Sequence, residues 1–592
     1  MMVELYNSII LKPISFLRQK LSDRQFFILS SIIVGLTSGL AAVLLKYVVH
    51  SLELLVSFYS INYEEFLHFA LFPLIGILLT VFFVRFFLDN KLKKGSAEIV
   101  YSIVKKSSVI PPRETYAHLI TSALTVGFGG SMGLESPMVS TGAAIGSSYG
   151  RVYKLSYKDR TILLACGAAA GIAAAFNAPI AGVLFAVEVL LTDVSASAFI
   201  PLIISAATGA LLSKMILEEG VVLSFSLQQP FDYHNVPYYM VLGILAGLVS
   251  LYYARAFHWT EIRMIRIGNP WIRALTGGIL LFILLLLFPP LFGEGYETIK
   301  SLADLQPSTL TRSSILHNLV SNEGRLLIFL GLLIFMKTIA AAITLGSGGN
   351  GGNFAPSLFV GAYLGFVFSR LVNLLGLAKV PESNFTIVAM AGILSGVFHA
   401  PLTSIFLIAE ITGGYELMIP LMIVASLSII MVHIFEPLSM EGRKLSARMN
   451  VSVENRDKFL LSKIDLTELI ETNFAVVHPE TTLTALTRII SSSKRNLFPV
   501  VDDHQKLVGI VHMDDVRGLI FDPVNHGHTT VRELMSPPAA TIQTTENLHS
   551  VLQKFDKTRL WNLPVVDNDR YIGFVSKSSI LSRYRNELLE SV

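Results

Sequence analysis

A glycine-rich passage stands twice in this chain, 219 residues apart. The first copy runs from Gly129 to Gly146 and the second from Gly348 to Gly365. Five glycines, one alanine and the proline coincide, among them Gly133 with Gly352, Pro137 with Pro356 and Gly142 with Gly361. A second passage follows each copy at an offset of 222, from Phe176-Asn-Ala-Pro to Glu188 and from Phe398-His-Ala-Pro to Glu410. Two related hydrophobic halves, each with a Gly-rich loop opening onto a helix, fit a transport protein with its site between the halves.

Apolar residues make up 52% of the 592 and charged ones only 15%, against about 25% charged in soluble domains. The apolar excess lies before residue 437. Runs long enough to cross a bilayer, or nearly so, are Phe26–Val49, Phe66–Leu88, Ala198–Leu217, Tyr238–Tyr253, Ala274–Phe292, Leu326–Leu345 and Met418–Ile434. Shorter apolar pieces broken by Gly, Pro and Asn lie between them. Irregular backbone at membrane depth is tolerated only where protein or a water-filled cavity surrounds it. Basic residues cluster before the first run (Lys12, Arg18, Lys20, Arg24) and after the last (Arg443, Lys444, Arg448), which predicts that both ends face the cytoplasm. A net charge of +3 gives no reason to expect nucleic acid. The lone Cys166, in a small-residue stretch, is expected to be buried and free. The pattern predicts an α-helical polytopic membrane protein of two inverted-topology repeats, with no catalytic constellation and no metal motif.

From about Asn450 the character changes to alternating strand-like and amphipathic helical runs. Leu497-Phe-Pro-Val-Val leads to a second run ending at Val511, and Asn562-Leu-Pro-Val-Val to one ending at Val575. Helical patterns precede them at Thr481–Ser493 and Thr545–Asp556. These paired repeats resemble CBS modules and imply an α/β pair. The expected divisions are an N-terminal segment 1–25, a membrane domain 26–449, a linker 450–465 and modules at 466–525 and 530–586.

A Gly-rich turn entering a helix offers unpaired N–H groups at the positive end of the helix dipole. That makes an anion site without a cationic side chain, which suits a membrane interior. Close helix packing is the alternative use of such glycines. Glu135 stands at the start of the first helix, where its carboxylate competes with an anion for the same N–H groups. That makes it a gate, a proton carrier or both. Phe354 occupies its place in the second copy. Glu188 and Glu410 match each other; acids within the membrane are functional by default, while a repeated acid also suits a structural role on the backbone N–H groups of a neighbouring loop.

Together these residues resemble the CLC family of chloride channels and chloride/proton antiporters. Gly351-Gly-Asn-Phe-Ala-Pro356 matches one filter motif, and the resemblance puts a central chloride on the N–H groups of Asn353 and Phe354. Gly133-Leu-Glu-Ser-Pro137 matches another, with Gly133, Leu134 and Ser136 as anion contacts and Glu135 as the gating glutamate. In the first filter motif, Lys94 falls where the family's ion-contacting serine sits, with Ser96 as its replacement after a local shift. The family's pore tyrosine falls near Glu441. Val189 stands where coupled members carry an inner proton-transfer glutamate, and it joins Glu441 as a candidate pore residue. The resemblance therefore implies chloride transport that is channel-like or weakly proton-coupled, in a homodimer of the plasma membrane. Strict chloride/proton exchange is the alternative; an inverted-repeat solute carrier and a membrane-anchored nucleotide sensor are readings of other classes. No cofactor is expected in the membrane part. An adenine nucleotide at the CBS pair has Asp515 (with His512) and Ser576 (with Ser579) as its candidate contacts.

Overall fold

The computed structural model describes residues 21–57, 69–191, 196–217, 229–311, 314, 316, 320, 322–449, 464–520 and 528–590. Lys12, Arg18, Lys20, the start of the second apolar run at Phe66, most of the expected linker and the end of the first module lie outside the described residues. The chain divides into two compact units, Met1–Arg448 and Met449–Val592.

The described part of the first unit is helical. Its first half holds α1 (Asp23–Ser57), α2 (Phe72–Phe87), α3 (Ser96–Lys105), α4 (Glu114–Val126), α5 (Glu135–Val152), α6 (Tyr157–Phe176), α7 (Pro179–Phe185) and α8 (Ala196–Ile216). The second half repeats the order with α9 (Val236–Ile265), α10 (Pro270–Leu287), α11 (Tyr296–Ala303), α12 (Glu323–Gly346), α13 (Phe354–Leu374), α14 (Glu382–Phe398), α15 (Pro401–Ile411) and α16 (Met418–Phe435). A further helix, α17, covers Met440–Met449. Among the described residues, eight helices are long and apolar enough to cross a membrane.

The packing repeats with the sequence. In the first half α6 touches α1, α5 and α8, and in the second α14 touches α9, α13 and α16. α6 and α14 are buried over most of their length because small residues let their neighbours approach closely. Cys166 is buried in α6. Each of these helices ends in a left-handed residue, Asn177 at φ 54° and His399 at φ 56°. An Ala-Pro pair then opens the next helix, with proline at a position that needs no N–H donor. This stop-and-restart is what the Asn-Ala-Pro and His-Ala-Pro repeats encode.

The halves are joined by their own equivalents. Gly133 and Gly352 form an antiparallel bridge, with Gly133 N–H donating to Gly352 O at 2.9 Å and Gly352 N–H to Gly133 O at 2.8 Å. Two residues 219 apart that exchange both bonds sit on the pseudo-two-fold axis that inverted repeats require. The turns behind them match as well: Gly130 N–H donates to Thr125 O, and Gly349 N–H to Thr344 O.

The second unit contains two α/β modules. The first has α18 (Leu483–Ser492), β1 (Leu497–Val501), β2 (Leu507–His512) and α19 (Met513–Val516); the second has α20 (Val531–Leu534), whose Val531 packs into the first module's core, β3 (Ile542–Gln543), α21 (Leu548–Thr558), β4 (Asn562–Asp567), β5 (Arg570–Ser576) and α22 (Lys577–Glu590). β1 pairs antiparallel with β2, and β4 with β5. Each module has its own core, around Leu486 and Phe498 in one and Phe555 and Leu563 in the other. The two hairpin turns pair through Lys506 and Arg570, which docks the modules pseudo-symmetrically.

Candidate functional site at paired helix N-termini

Five helix starts meet the two loops or their repeats, and four of them are covered by carboxylates. Glu188, in the π-turn Ala186–Leu190 that follows α7, accepts from Leu402 N–H at 3.0 Å, from Thr403 N–H at 2.7 Å and from the Thr403 hydroxyl at 2.6 Å, at the start of α15. Glu410, in α15, accepts in turn from Ile180 N–H at 3.0 Å and Ala181 N–H at 2.9 Å at the start of α7. The two acids thus cap each other's helices across the halves. Glu441 covers α3, accepting from Ala97 N–H at 3.1 Å. At α5, Glu135 is 2% exposed and accepts a hydrogen bond from the Tyr296 hydroxyl. Its other oxygen, Oε2, is buried beside Gly133 and Ala355 and has no hydrogen-bond partner among the described residues.

The fifth start, α13, has no acid in its first turn and no capping side chain. Among the described residues, no carboxylate bonds the N–H groups of Asn353 or Phe354. These two donors point from the positive end of a 21-residue helix.

A cavity of about 490 Å³ leads to them. Its wall includes Ser136, Asn353 and Phe354 at the loops, Lys94, Ser96, Arg273, Glu441 and Lys444 further out, and the rings of Phe185 and Phe398. Phe354 packs on both rings, at 5.5 Å from Phe185 and 4.4 Å from Phe398. Lys444 pairs with Glu261 at 3.1 Å and approaches Glu441 at 4.0 Å. With Lys94 and Arg273, three cations face the two acids Glu261 and Glu441, so the wall carries one net positive charge and the approach favours anions.

The expected site residues distribute unevenly. Ser136, Asn353, Phe354, Lys94, Ser96 and Glu441 share the cavity, whereas Val189, in the π-turn after α7, is not among its lining residues. Lys94 turns its ammonium group onto the carbonyl oxygens of Gly348, at 3.3 Å, and Gly349, at 2.5 Å, and so braces the second Gly loop. Gly133 is committed to its bridge with Gly352, and the N–H of Leu134 is already taken, donating to Glu294 Oε1 at 3.0 Å. A tyrosine does reach the filter: Tyr253 in α9 donates to Asn353 Oδ1 at 3.3 Å, although the residues around Glu441 hold none. Sequence reasoning also passed over Glu294, Tyr296, Lys46 and Lys337. Lys46 and Lys337 did carry a signal, as lone cations inside apolar runs.

In the tail, Asp515 is exposed on α19. Ser576 donates to Glu471 at 3.0 Å and accepts from Ser579 N–H at 3.0 Å.

Two helix starts, one with an acid in its first turn and one without, thus meet at the paired Gly133–Gly352 backbone, beside a cavity lined by Lys94, Arg273 and Lys444. The family profile described as Voltage gated chloride channel matches residues 76–433, and the CBS domain profile matches 466–522 and 531–586. The chain belongs to the voltage-gated chloride channel family, a family of membrane transport proteins, and carries a CBS pair. It is 30% identical over 381 residues to a ClcB-like chloride channel protein of Ralstonia nicotianae, covering 63% of this chain and 84% of that one. It is 32% identical over 313 residues to the voltage-gated ClC-type chloride channel ClcB of Escherichia coli, covering 51% and 69%. With chloride channel protein CLC-f of Arabidopsis thaliana it shares 28% over 454 residues, covering 67% and 56%. The fold matches a slow cyanobacterial Cl−/H+ antiporter at TM-score 0.63 and 23% identity, covering 74% of this chain and all of that one. It matches a eukaryotic CLC transporter at TM-score 0.59 and 18% identity, covering 93% and 97%. Family membership removes the solute-carrier and anchored-sensor alternatives.

The reciprocal caps give a direct prediction. Glu188→Ala strips a charged acceptor from two backbone N–H groups and a hydroxyl, each such bond being worth about 1.5–3 kcal/mol. The detergent-solubilised variant is expected to unfold at a clearly lower temperature than wild type, with Glu188→Gln in between. An unchanged melting temperature contradicts the capping role.

Proposed function

We propose that this protein carries chloride across the plasma membrane through the path between α5 and α13, with Glu135 as its gate. The observation that carries this reading is the contrast between α13 and the acid-covered helix starts around it. Glu188, Glu410 and Glu441 hold the N–H groups of three neighbouring helix starts, whereas among the described residues the N–H groups of Asn353 and Phe354, at the end of the cavity, take no carboxylate. A chloride on Asn353 and Phe354 N–H is held by fixed dipoles, strongly enough to enter and weakly enough to leave. Lys94 acts through its grip on the Gly348 and Gly349 carbonyls, which fixes the loop's aim, and Ser96 lines the approach.

Transport is channel-like or weakly coupled to protons. Val189 has no group that holds a proton, and Glu135 is the acid in the first turn of α5. Strict chloride/proton exchange is the second reading, favoured by the Tyr296 hydroxyl on Glu135, which offers that carboxyl a partner away from the anion path. Both ends of the membrane domain face the cytoplasm, and the working form is a homodimer with one path in each subunit. The CBS pair regulates transport or stabilises the dimer. An adenine nucleotide there would rest on Asp515, because the Ser576 hydroxyl is engaged with Glu471.

Anomalous diffraction from crystals grown in bromide tests the site. A bromide peak within hydrogen-bond reach of the Asn353 and Phe354 nitrogens is expected. Peaks confined to the surface, with none at α13, would refute the assignment.

A further inference from the structure

The loop from Phe288 to Tyr296 lies over the first filter loop. Gly293 N–H donates to Gly129 O at 3.0 Å, and the Phe292 ring fills the space beside Gly129, where an added Cβ would lie 1.9 Å from it. Two residues of this loop then straddle the gate. Glu294 accepts from Leu134 N–H, and Tyr296, two residues on, donates to Glu135. The Leu134 N–H belongs to the same row of donors as that of Glu135, and a carboxylate now fills it.

This carboxylate lies on the side away from the cavity. Arg273, near the start of α10, lines the cavity, and Phe288 follows 15 residues later, about 22 Å along a helix axis. The charged or titratable groups interacting with Glu294 are Glu135 and Tyr296, Glu53 and Lys46 from α1, and Lys337 from α12. Lys337 donates to Gly293 O at 2.9 Å and Leu291 O at 3.3 Å, so an ammonium group pins the same loop. Lys46 donates to Ala175 O at the end of α6. Three carboxyl groups thus share a small volume with two ammonium groups.

We infer that Glu294 is a second gate acid, which holds the Leu134 N–H against anions arriving from outside and releases it when external acid protonates it. The inference rests on the transport reading above. With both acids in place, an external anion has to displace two carboxylates from adjacent donors; with Glu135 removed, Glu294 still blocks one of them. External acidification then raises flux in two stages, one for each acid.

The test is chloride efflux from liposomes with external pH stepped from about 7.5 to about 4.5, across the range in which carboxyl groups titrate. Wild type, Glu135→Ala, Glu294→Gln and the double variant are compared. Glu135→Ala is expected to keep a several-fold acid response, and the double variant to lose it and stay at the high flux throughout. An equal acid response in Glu135→Ala and the double variant would overturn the inference and leave the transport reading standing. So would a pH-independent Glu135→Ala that still carries chloride. No chloride flux in any of the four overturns both. Should Glu294→Gln misfold, Glu294→Asp keeps the charge but shortens its reach to Leu134. It is expected to raise flux at neutral pH, and unchanged flux counts against the inference.

Discussion

Replacing Glu135 by alanine raises chloride flux at neutral pH by about tenfold or more and removes any proton movement that accompanies it. The carboxyl group is buried where the two helix starts meet, beside Gly133 and Ala355, and takes the Tyr296 hydroxyl. A charge-assisted hydrogen bond contributes about 1.5–3 kcal/mol net, and each 1.4 kcal/mol is a factor of ten in occupancy. Removing that competitor opens the donors to chloride by one to two orders of magnitude. Glu135→Gln keeps the shape without the charge and is expected to conduct nearly as well. Purified wild type and variants in matched liposomes, read with a chloride electrode, decide the point. Equal flux in wild type and Glu135→Ala shows that this acid is not the gate.

Gly142→Val disrupts the membrane domain, and Gly142→Ala weakens it severely. A Cβ at 142 would lie 2.1 Å from the Gly167 carbonyl oxygen, and one at 167 would lie 1.9 Å from that of Gly142. Both obstacles are backbone, so no rotamer change relieves them; α5 and α6 have to move apart. Ordinary overpacking costs about 1–3 kcal/mol, and a backbone clash at this distance costs more. The effect reaches function, because α5 carries Glu135 and cannot shift without re-aiming its first turn. Gly361 repeats the arrangement against Met390 in the second half and is expected to be as intolerant. Gly331→Ala is the contrast: nothing lies within 4 Å of its Cβ, so yield and melting temperature should match wild type. Size-exclusion profiles of the solubilised variants read the difference directly.

The backbone of the site was legible in the chain because it is built from residues that few others can replace. Gly133 and Gly352 pair at the axis, Gly142 and Gly361 lie at helix crossings, and Pro179 and Pro401 restart helices, so repetition of these residues reports repeated geometry. Glu135 stood out as an acid at a helix start, and the Glu188–Glu410 match pointed to acids on backbone N–H groups, though not to their exchange across the halves.

Side-chain direction was not legible in the same way. Lys94 aligns with an ion-contacting position, yet its four-carbon stem carries the charge onto the Gly348 and Gly349 carbonyls. Val189 is one residue from a well-aligned acid, but the π-turn changes the helical phase there. Glu294 and Tyr296 reach Leu134 and Glu135 only because a loop about 160 residues along the chain folds over them. Tyr253 likewise supplies a hydroxyl from α9, far in sequence from the region where a pore tyrosine was sought. Such contacts depend on how the halves close on each other, and local periodicity carries no record of that.

The most direct test of the account is chloride release from liposomes containing the purified wild-type protein, with external pH recorded at the same time. The account predicts chloride release well above that of protein-free vesicles, with proton uptake small beside it. Monodisperse protein that releases no chloride would contradict the anion pathway, and proton uptake in fixed proportion to chloride would contradict its channel-like, weakly coupled character.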